Sequence, residues 1–120
     1  PAAVALLLTA LAAPAAPAQQ PLVALAIPET ADTPWPGERV FVSVDLDVLD
    51  AAHAPGVSAM NPCGMNVHTA ERWCQAAGSR PEIVCFDLME LSPPFDPDGR
   101  TARVAARLFL AFLEGAATRP

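Results

Sequence analysis

Lysine is missing from this 120-residue chain: its seven basic residues are all arginine, set against 13 Asp and Glu for a formal net charge of −6. That absence excludes a phosphate loop built on a lysine, and so few cations on an acidic chain exclude a basic groove for nucleic acid. A negative balance suits a cation better, although by itself it speaks only to solubility. Cysteine is scarce too. Cys63, Cys74 and Cys85 are odd in number, far apart and without Cys-x-x-Cys spacing, which points to free, reduced, partly buried thiols in a cytoplasmic protein. Histidine occurs twice, at positions 53 and 68, and never before Val40. No apolar run is long enough for a membrane. Ala2 to Ala13 is almost wholly apolar, but a span needs about 20 residues. With no basic residues ahead of it, this run is expected to be an Ala-rich helix, or the remnant of one, rather than a targeting signal. The missing initiator Met carries the expectation that Pro1 is not the natural start. No internal repeat is evident.

What is present fits one domain at most, with 52% hydrophobic residues, enough for a packed core. Residues 1–39 form an Ala/Pro-rich N-terminal segment, and residues 40–120 an alternating strand and helix region. A strand is expected over Leu22 to Ile27, then a Pro-punctuated loop from Pro28 to Glu38 carrying Trp35, and a strand over Val40 to Val44. Asp50 to Met65, with Pro55, Gly56, Pro62 and Gly64, is a long loop of the kind that often carries function. Asn66 to Ala77 reads as a helix with Asn66 as N-cap and Gly78 as its end. Ile83 to Leu88 is a second buried strand, with Glu90 just beyond it. Thr101 to Leu113 is the clearest helix: Val104, Leu108, Ala111 and Phe112 share a face and Gly115 follows as a stop. This order implies an α/β fold, a parallel sheet with helices packed on it.

The chemistry concentrates at the exit of the Val40 to Val44 strand, where Asp45 and Asp47 follow an apolar run. On a continuing strand both carboxylates project to one face while Leu46 points the other way. Two like charges that close repel unless a cation lies between them, and the carboxyl ends of parallel strands are where α/β proteins bind ligands. The plainer reading is a strand that ends in acidic turn residues. Two other metal or phosphate chemistries fail. A calcium hand needs an acidic or amide group at its fifth loop position and Gly at its sixth, but counting from Asp45 these are Leu49 and Asp50. A phosphatase that starts from strand-Asp-x-Asp also needs a basic residue, commonly Lys, and a later acidic pair. Asp50 reads as an Asx-type cap of the loop, His53 as a surface loop residue, His68 as a polar residue in a first helical turn, and Asp87 as a carboxylate that orients other groups. Arg100, Arg103 and Arg107 share a helix face that is solvated or faces a subunit.

Read as a whole, Ser43-Val44-Asp45-Leu46-Asp47-Val48-Leu49-Asp50, the loop containing Ala54-Pro55, and Cys63-Gly64-Met65 resemble the second metal signature of the arginase (ureohydrolase) family. That signature is Ser-x-Asp-x-Asp-x-x-Asp-Pro, then Ala-Pro, then Gly-Gly-Leu or Gly-Gly-Met. Ala51 and Cys63 depart from it, in place of Pro and Gly. Phe86-Asp87-Leu88-Met89-Glu90-Leu91-Ser92-Pro93 resembles the family's later strand, and Asp98-Gly99-Arg100-Thr101-Ala102-Arg103 the opening of its last helix. The resemblance runs from Val40 to Gly115. It implies the C-terminal portion of a three-layer α/β/α arginase-like parallel sheet and a two-manganese hydrolase of linear amidine C–N bonds. Asp45 would bridge two Mn²⁺ ions, Asp47 would bind one, and Glu90 would grip the amidine of a small-molecule substrate. Ala54-Pro55-Gly56-Val57-Ser58-Ala59 is more similar to the formimidoylglutamase branch than to the arginase and agmatinase branches, which remain the alternative beside a non-catalytic remnant. The family's earlier Gly-Gly-Asp-His and Asp-x-His-x-Asp ligand segments are not in this sequence, so the chain by itself is expected to be inactive. A homo-oligomer, trimer or hexamer, is implied for the complete protein, with neither a nucleic-acid nor a membrane partner.

Overall fold

The computed structural model describes residues Leu8–Ala10, Val23–Leu25 and 39–120. Strand β1 (Leu8–Ala10) pairs antiparallel with β2 (Val23–Leu25), Leu8 opposite Leu25. The Ala-rich helix expected over Ala2 to Ala13 is therefore wrong at residues 8–10. Alanine favours helix only weakly as an isolated preference, and a pairing partner overrides it. β2 lies inside the strand expected over Leu22 to Ile27. The expected loop from Pro28 to Glu38 lies outside the described residues.

From Val40 onward the alternation of strand and helix holds. β3 (Val40–Asp45) and β4 (Ile83–Met89) pair in parallel, joined through α1 (Val67–Gly78), and α2 (Arg100–Ala116) follows. A parallel pair requires a long crossover, and α1 with its approach loop supplies it. Val40, Val42 and Val44 are buried on one face of β3; Phe86 and Leu88 lie opposite Val42 and Val44 and pack against the same core. Ala70, Cys74 and Ala77 of α1 and Leu108 and Ala111 of α2 complete it, with Val104 and Phe112 packed at its margin. The face read for the last helix is the face that is buried. Phe86 stacks on Phe112 at a centroid distance of 4.1 Å, tying the sheet to α2. The register shifts between Val40 and Phe41, which pair with Ile83 and Cys85, so Val84 is an extra residue in β4. That bulge disturbs the alternation locally, and Val84 and Cys85 are both exposed. These residues supply a parallel sheet and a helical layer upon it, as a part of an α/β domain.

Asn66 caps α1 as its residue type implies, its side chain accepting from the His68 amide at 2.9 Å. Gly115 does not stop α2. The helix runs on to Ala116, and Gly115 is buried inside it because α1 crosses there. A Cβ at Gly115 would stand 2.0 Å from the Gln75 carbonyl oxygen, and one at Gly78 would stand 2.0 Å from that of Phe112. Each helix thus presents a bare backbone to the other. Arg107 clamps the same pair of helices from outside, donating to Glu71 of α1 and to Glu114. The Glu71 carboxyl is held below its usual range chiefly by that guanidinium. Arg100 and Arg103 donate to Asp98 and neighbouring carbonyls, so the arginine stripe is exposed and engaged within its own chain.

Candidate functional site

The strand does not carry both aspartates. β3 ends at Asp45, and Leu46–Val48 form a 3-10 turn, so strand alternation is not what brings Asp45 and Asp47 together. The turn forms because the Asp45 carboxylate accepts from the Asp47 amide at 2.9 Å, leaving Leu46 and Val48 buried in the core. Burial pushes the Asp45 carboxyl above its ordinary range; the Asp47 amide opposes that, and the charges of Asp47 and Glu90 add to it. Asp47 Oδ1 is buried and has no hydrogen-bond partner among the described residues. A carboxylate oxygen in that state is costly unless a cation or donor meets it.

Glu90 stands just past the end of β4, and its φ of 70° is the only positive value at a non-glycine residue among those described. The left-handed region costs a non-glycine residue about 1 kcal/mol or more and is found where function or packing demands it. Here it turns the chain at the strand exit, and the Glu90 side chain reaches back toward Asp47. The two carboxylates meet at one hydroxyl: Ser58 Oγ lies 3.2 Å from Asp47 Oδ2 and 3.1 Å from Glu90 Oε2. Asp45, Asp47 and Glu90 thus lie at or just beyond the carboxyl ends of two neighbouring parallel strands, the position where α/β sheets bind ligands. Asp87 is not among them. It lies within β4 opposite Ser43, and Asp87 Oδ1 and Ser43 Oγ are both buried without a partner among the described residues.

The loop that carries Ser58 is anchored at both ends and in the middle. Its neck is closed by Met65 donating to Val48 and Asp50 to Met65, and Asp50 caps the first turn by accepting from the Ala52 amide at 2.8 Å. The Asx-type role read for Asp50 is the one the structure shows. In the middle, buried Gly56 donates to Thr101 Oγ1 at 2.7 Å and accepts from the Ser92 amide at 2.9 Å. A Cβ at Gly56 would fall 2.3 Å from Cβ of Asp96, so only glycine allows the loop this close to the start of α2. Asp96 accepts from the Thr101 and Ala102 amides at 2.9 Å each. Burial raises its carboxyl, but these amides outweigh burial and hold it below the usual carboxylate range. Sequence reading missed Asp96 and the role of Ser58; an Asp ahead of the Thr101 helix was a signal for the first, and nothing but spatial proximity marks the second. His53 and His68 are exposed and apart from the carboxylates, bordering a separate cavity with Arg100.

Among the described residues, no group of three or more His, Cys, Asp or Glu is gathered as a metal ion would need. Asp45 and Asp47 nevertheless fit part of such a set: one is desolvated beside two other carboxylates, and the other has a buried oxygen without a donor. The parallel pair, its packed helices and the carboxylates at its strand exits are those of part of an α/β domain. The Arginase family model matches residues 22–114, most of the chain, and the chain belongs to that family, as its three motifs imply. It is 48% identical over 71 residues to a formimidoylglutamase of Rhodococcus jostii, covering 59% of this chain and 22% of that protein. Among solved structures, a Trypanosoma cruzi formiminoglutamase with Mn²⁺ is similar at a TM-score of 0.62 and 37% identity, covering 65% of this chain and 27% of that one. An agmatine ureohydrolase of Thermoplasma volcanium is similar at a TM-score of 0.61 and 33% identity, covering 68% and 27%. The chain therefore spans about a quarter of the length of the proteins it matches.

Proposed function

We propose that residues 40–120 are the C-terminal part of a manganese-dependent hydrolase acting on linear amidine C–N bonds, and that its substrate is N-formimino-L-glutamate, split with water into L-glutamate and formamide. The observation that carries this reading is the meeting of Asp47 and Glu90 at the Ser58 hydroxyl. It puts a cation-seeking carboxylate and a free-ended carboxylate just beyond the ends of neighbouring strands, within reach of one hydroxyl. In this proposal Asp45 and Asp47 would hold Mn²⁺, Asp45 contributing to both ions of a pair and Asp47 to one, with further ligands supplied from outside residues 40–120. When bound, the ions supply Lewis acidity and a water acidic enough to ionise near neutral pH.

Glu90 does the work of orientation. An amidine head is flat, cationic and rich in N–H donors, and a carboxylate can accept two of them in parallel. Holding the head by its nitrogens places the central carbon toward Asp45 and Asp47 rather than letting it rotate. Gly56 and Val57, in the loop just before Ser58, are buried. Hydrolysis forms a C–O bond from water to that carbon and breaks its C–N bond to the glutamate nitrogen, which leaves as the amine with a proton from water, the carbon and its other nitrogen becoming formamide.

The structural likeness to an agmatine ureohydrolase supports a second reading, an amidinohydrolase of agmatine or a related guanidino compound. A panel of formiminoglutamate, agmatine, guanidinobutyrate and arginine, given to the full-length protein with Mn²⁺, separates the two. Turnover of formiminoglutamate above the guanidino compounds supports the first; agmatine turnover with none of formiminoglutamate refutes it. No turnover of any would leave a non-catalytic remnant. The 120 residues alone are proposed to be inactive, and Mn²⁺-dependent turnover by the isolated chain would refute that. Homo-oligomeric assembly and cytoplasmic location belong to the same proposal and are read by solution mass and fractionation. No helix among the described residues is long and apolar enough to cross a membrane.

A further inference from the structure

We infer that Ser58 is a positioning residue for the substrate: its hydroxyl holds the Glu90 carboxylate in the plane that meets a flat amidine. This rests on the proposed function above and adds to it a residue that neither composition nor motif assigns. A serine hydroxyl has one proton. Ser58 Oγ lies at hydrogen-bond distance from two carboxylates, Asp47 Oδ2 at 3.2 Å and Glu90 Oε2 at 3.1 Å, so it donates to one at a time. Were a cation to meet the Asp47 carboxylate, the hydroxyl would be left to donate to Glu90.

Glu90 needs the help. Its side chain is exposed, it accepts from no other group among the described residues, and its terminal torsion is soft. Its backbone is anchored in the left-handed turn, so a single donor on Oε2 is enough to set the plane and leave Oε1 open. Ser58 is itself held, because Gly56 two residues earlier is locked between Thr101 and Ser92. The same serine lines a cavity of about 270 Å³ with Pro55, Val57, Met60 and Phe95. Those walls are apolar, and Ser58 is the polar residue among them.

The test uses the full-length protein with Mn²⁺ and formiminoglutamate, comparing wild type with Ser58→Ala and Ser58→Thr. Mn²⁺ affinity is measured alongside by electron paramagnetic resonance. Loss of one hydrogen bond to a charged, solvent-accessible group is expected to raise KM about tenfold, with kcat and Mn²⁺ affinity little changed and Ser58→Thr restoring KM. A KM in Ser58→Ala within twofold of wild type overturns the inference. So does an Mn²⁺ affinity that falls in parallel with activity, which would assign Ser58 to Asp47 instead. A wild-type protein that turns over no linear amidine overturns the proposed function, and this inference with it.

Discussion

The crossing of α1 and α2 makes Gly115 an exacting position. In Gly115→Ala the new Cβ would lie 2.0 Å from the Gln75 carbonyl oxygen, 2.9 Å from its carbonyl carbon and 2.9 Å from the Ser79 nitrogen. All three are backbone atoms, so no side-chain rotation relieves the contact. Non-bonded heavy atoms sit about 3.5 Å apart at best, so the helices must part by roughly 1 Å or more, which forfeits a quarter to a half of the dispersion along the seam. Overpacking of this kind costs about 1–3 kcal/mol, and a backbone obstacle belongs at the upper end. Against it, alanine gains about 1 kcal/mol over glycine in a helix interior. The net expectation is a loss of about 2 kcal/mol. Urea unfolding of the protein reads this as a lower midpoint at unchanged slope. Gly78→Ala meets the Phe112 carbonyl oxygen at the same 2.0 Å and strains the same crossing. Once one substitution has spread the helices the second meets less resistance, so the double variant should fall short of the sum by about 0.5 kcal/mol or more. A Gly115→Ala protein as stable as wild type, or a strictly additive double, would refute the account of the crossing.

Three further outcomes follow from the same geometry. Asp47→Asn should weaken Mn²⁺ binding by at least about tenfold, the scale already reached when a ligand's outer partner is lost; unchanged binding by calorimetric titration would remove Asp47 from the ligand set. Cys63 and Cys85 are exposed, while burial, and then the charge of Glu71, push the Cys74 thiol up to about 12. At pH 8, two thiols should react with an alkylating reagent in the folded protein and the third only on unfolding, as mass spectrometry would count. Asp96 is depressed in the folded state, so its contribution is fully present above the unfolded carboxyl pKa of about 3.9 and is lost as pH falls through the lower folded value. Asp96→Asn should lower the melting temperature at neutral pH and flatten its decline in that acid window; an unchanged acid slope would show that the helix-capping carboxylate is elsewhere.

Much of the fold was legible because its signals are local. Val40, Val42 and Val44 alternate on a buried strand, and Leu108 and Ala111 recur at helical spacing, so period alone identified both elements and their inner faces. Asn66 announced the start of α1 by residue type. Gly115 was misread as a stop because a glycine at a helix end and a glycine at a helix crossing look alike in sequence. The Ala-rich start was misread at residues 8–10 because strand pairing is a partnership with a distant segment, here Val23–Leu25. At the site, Asp45, Asp47 and Glu90 were legible as residue types in motif order. Strand alternation does not explain the aspartate pair, because Asp45 caps a 3-10 turn that ends the strand.

The sequence by itself determined the family and the two parallel strands with their helices, since each depends on residue identity at short spacing. Only the tertiary structure decided that Ser58 joins Asp47 to Glu90 across 11 and 32 residues of chain. It alone showed that Gly56, Asp96 and Thr101 lock that loop, and that Gly78 and Gly115 let two helices touch. Such contacts are set by where separate elements come to rest, and no local period or propensity encodes the distance between them.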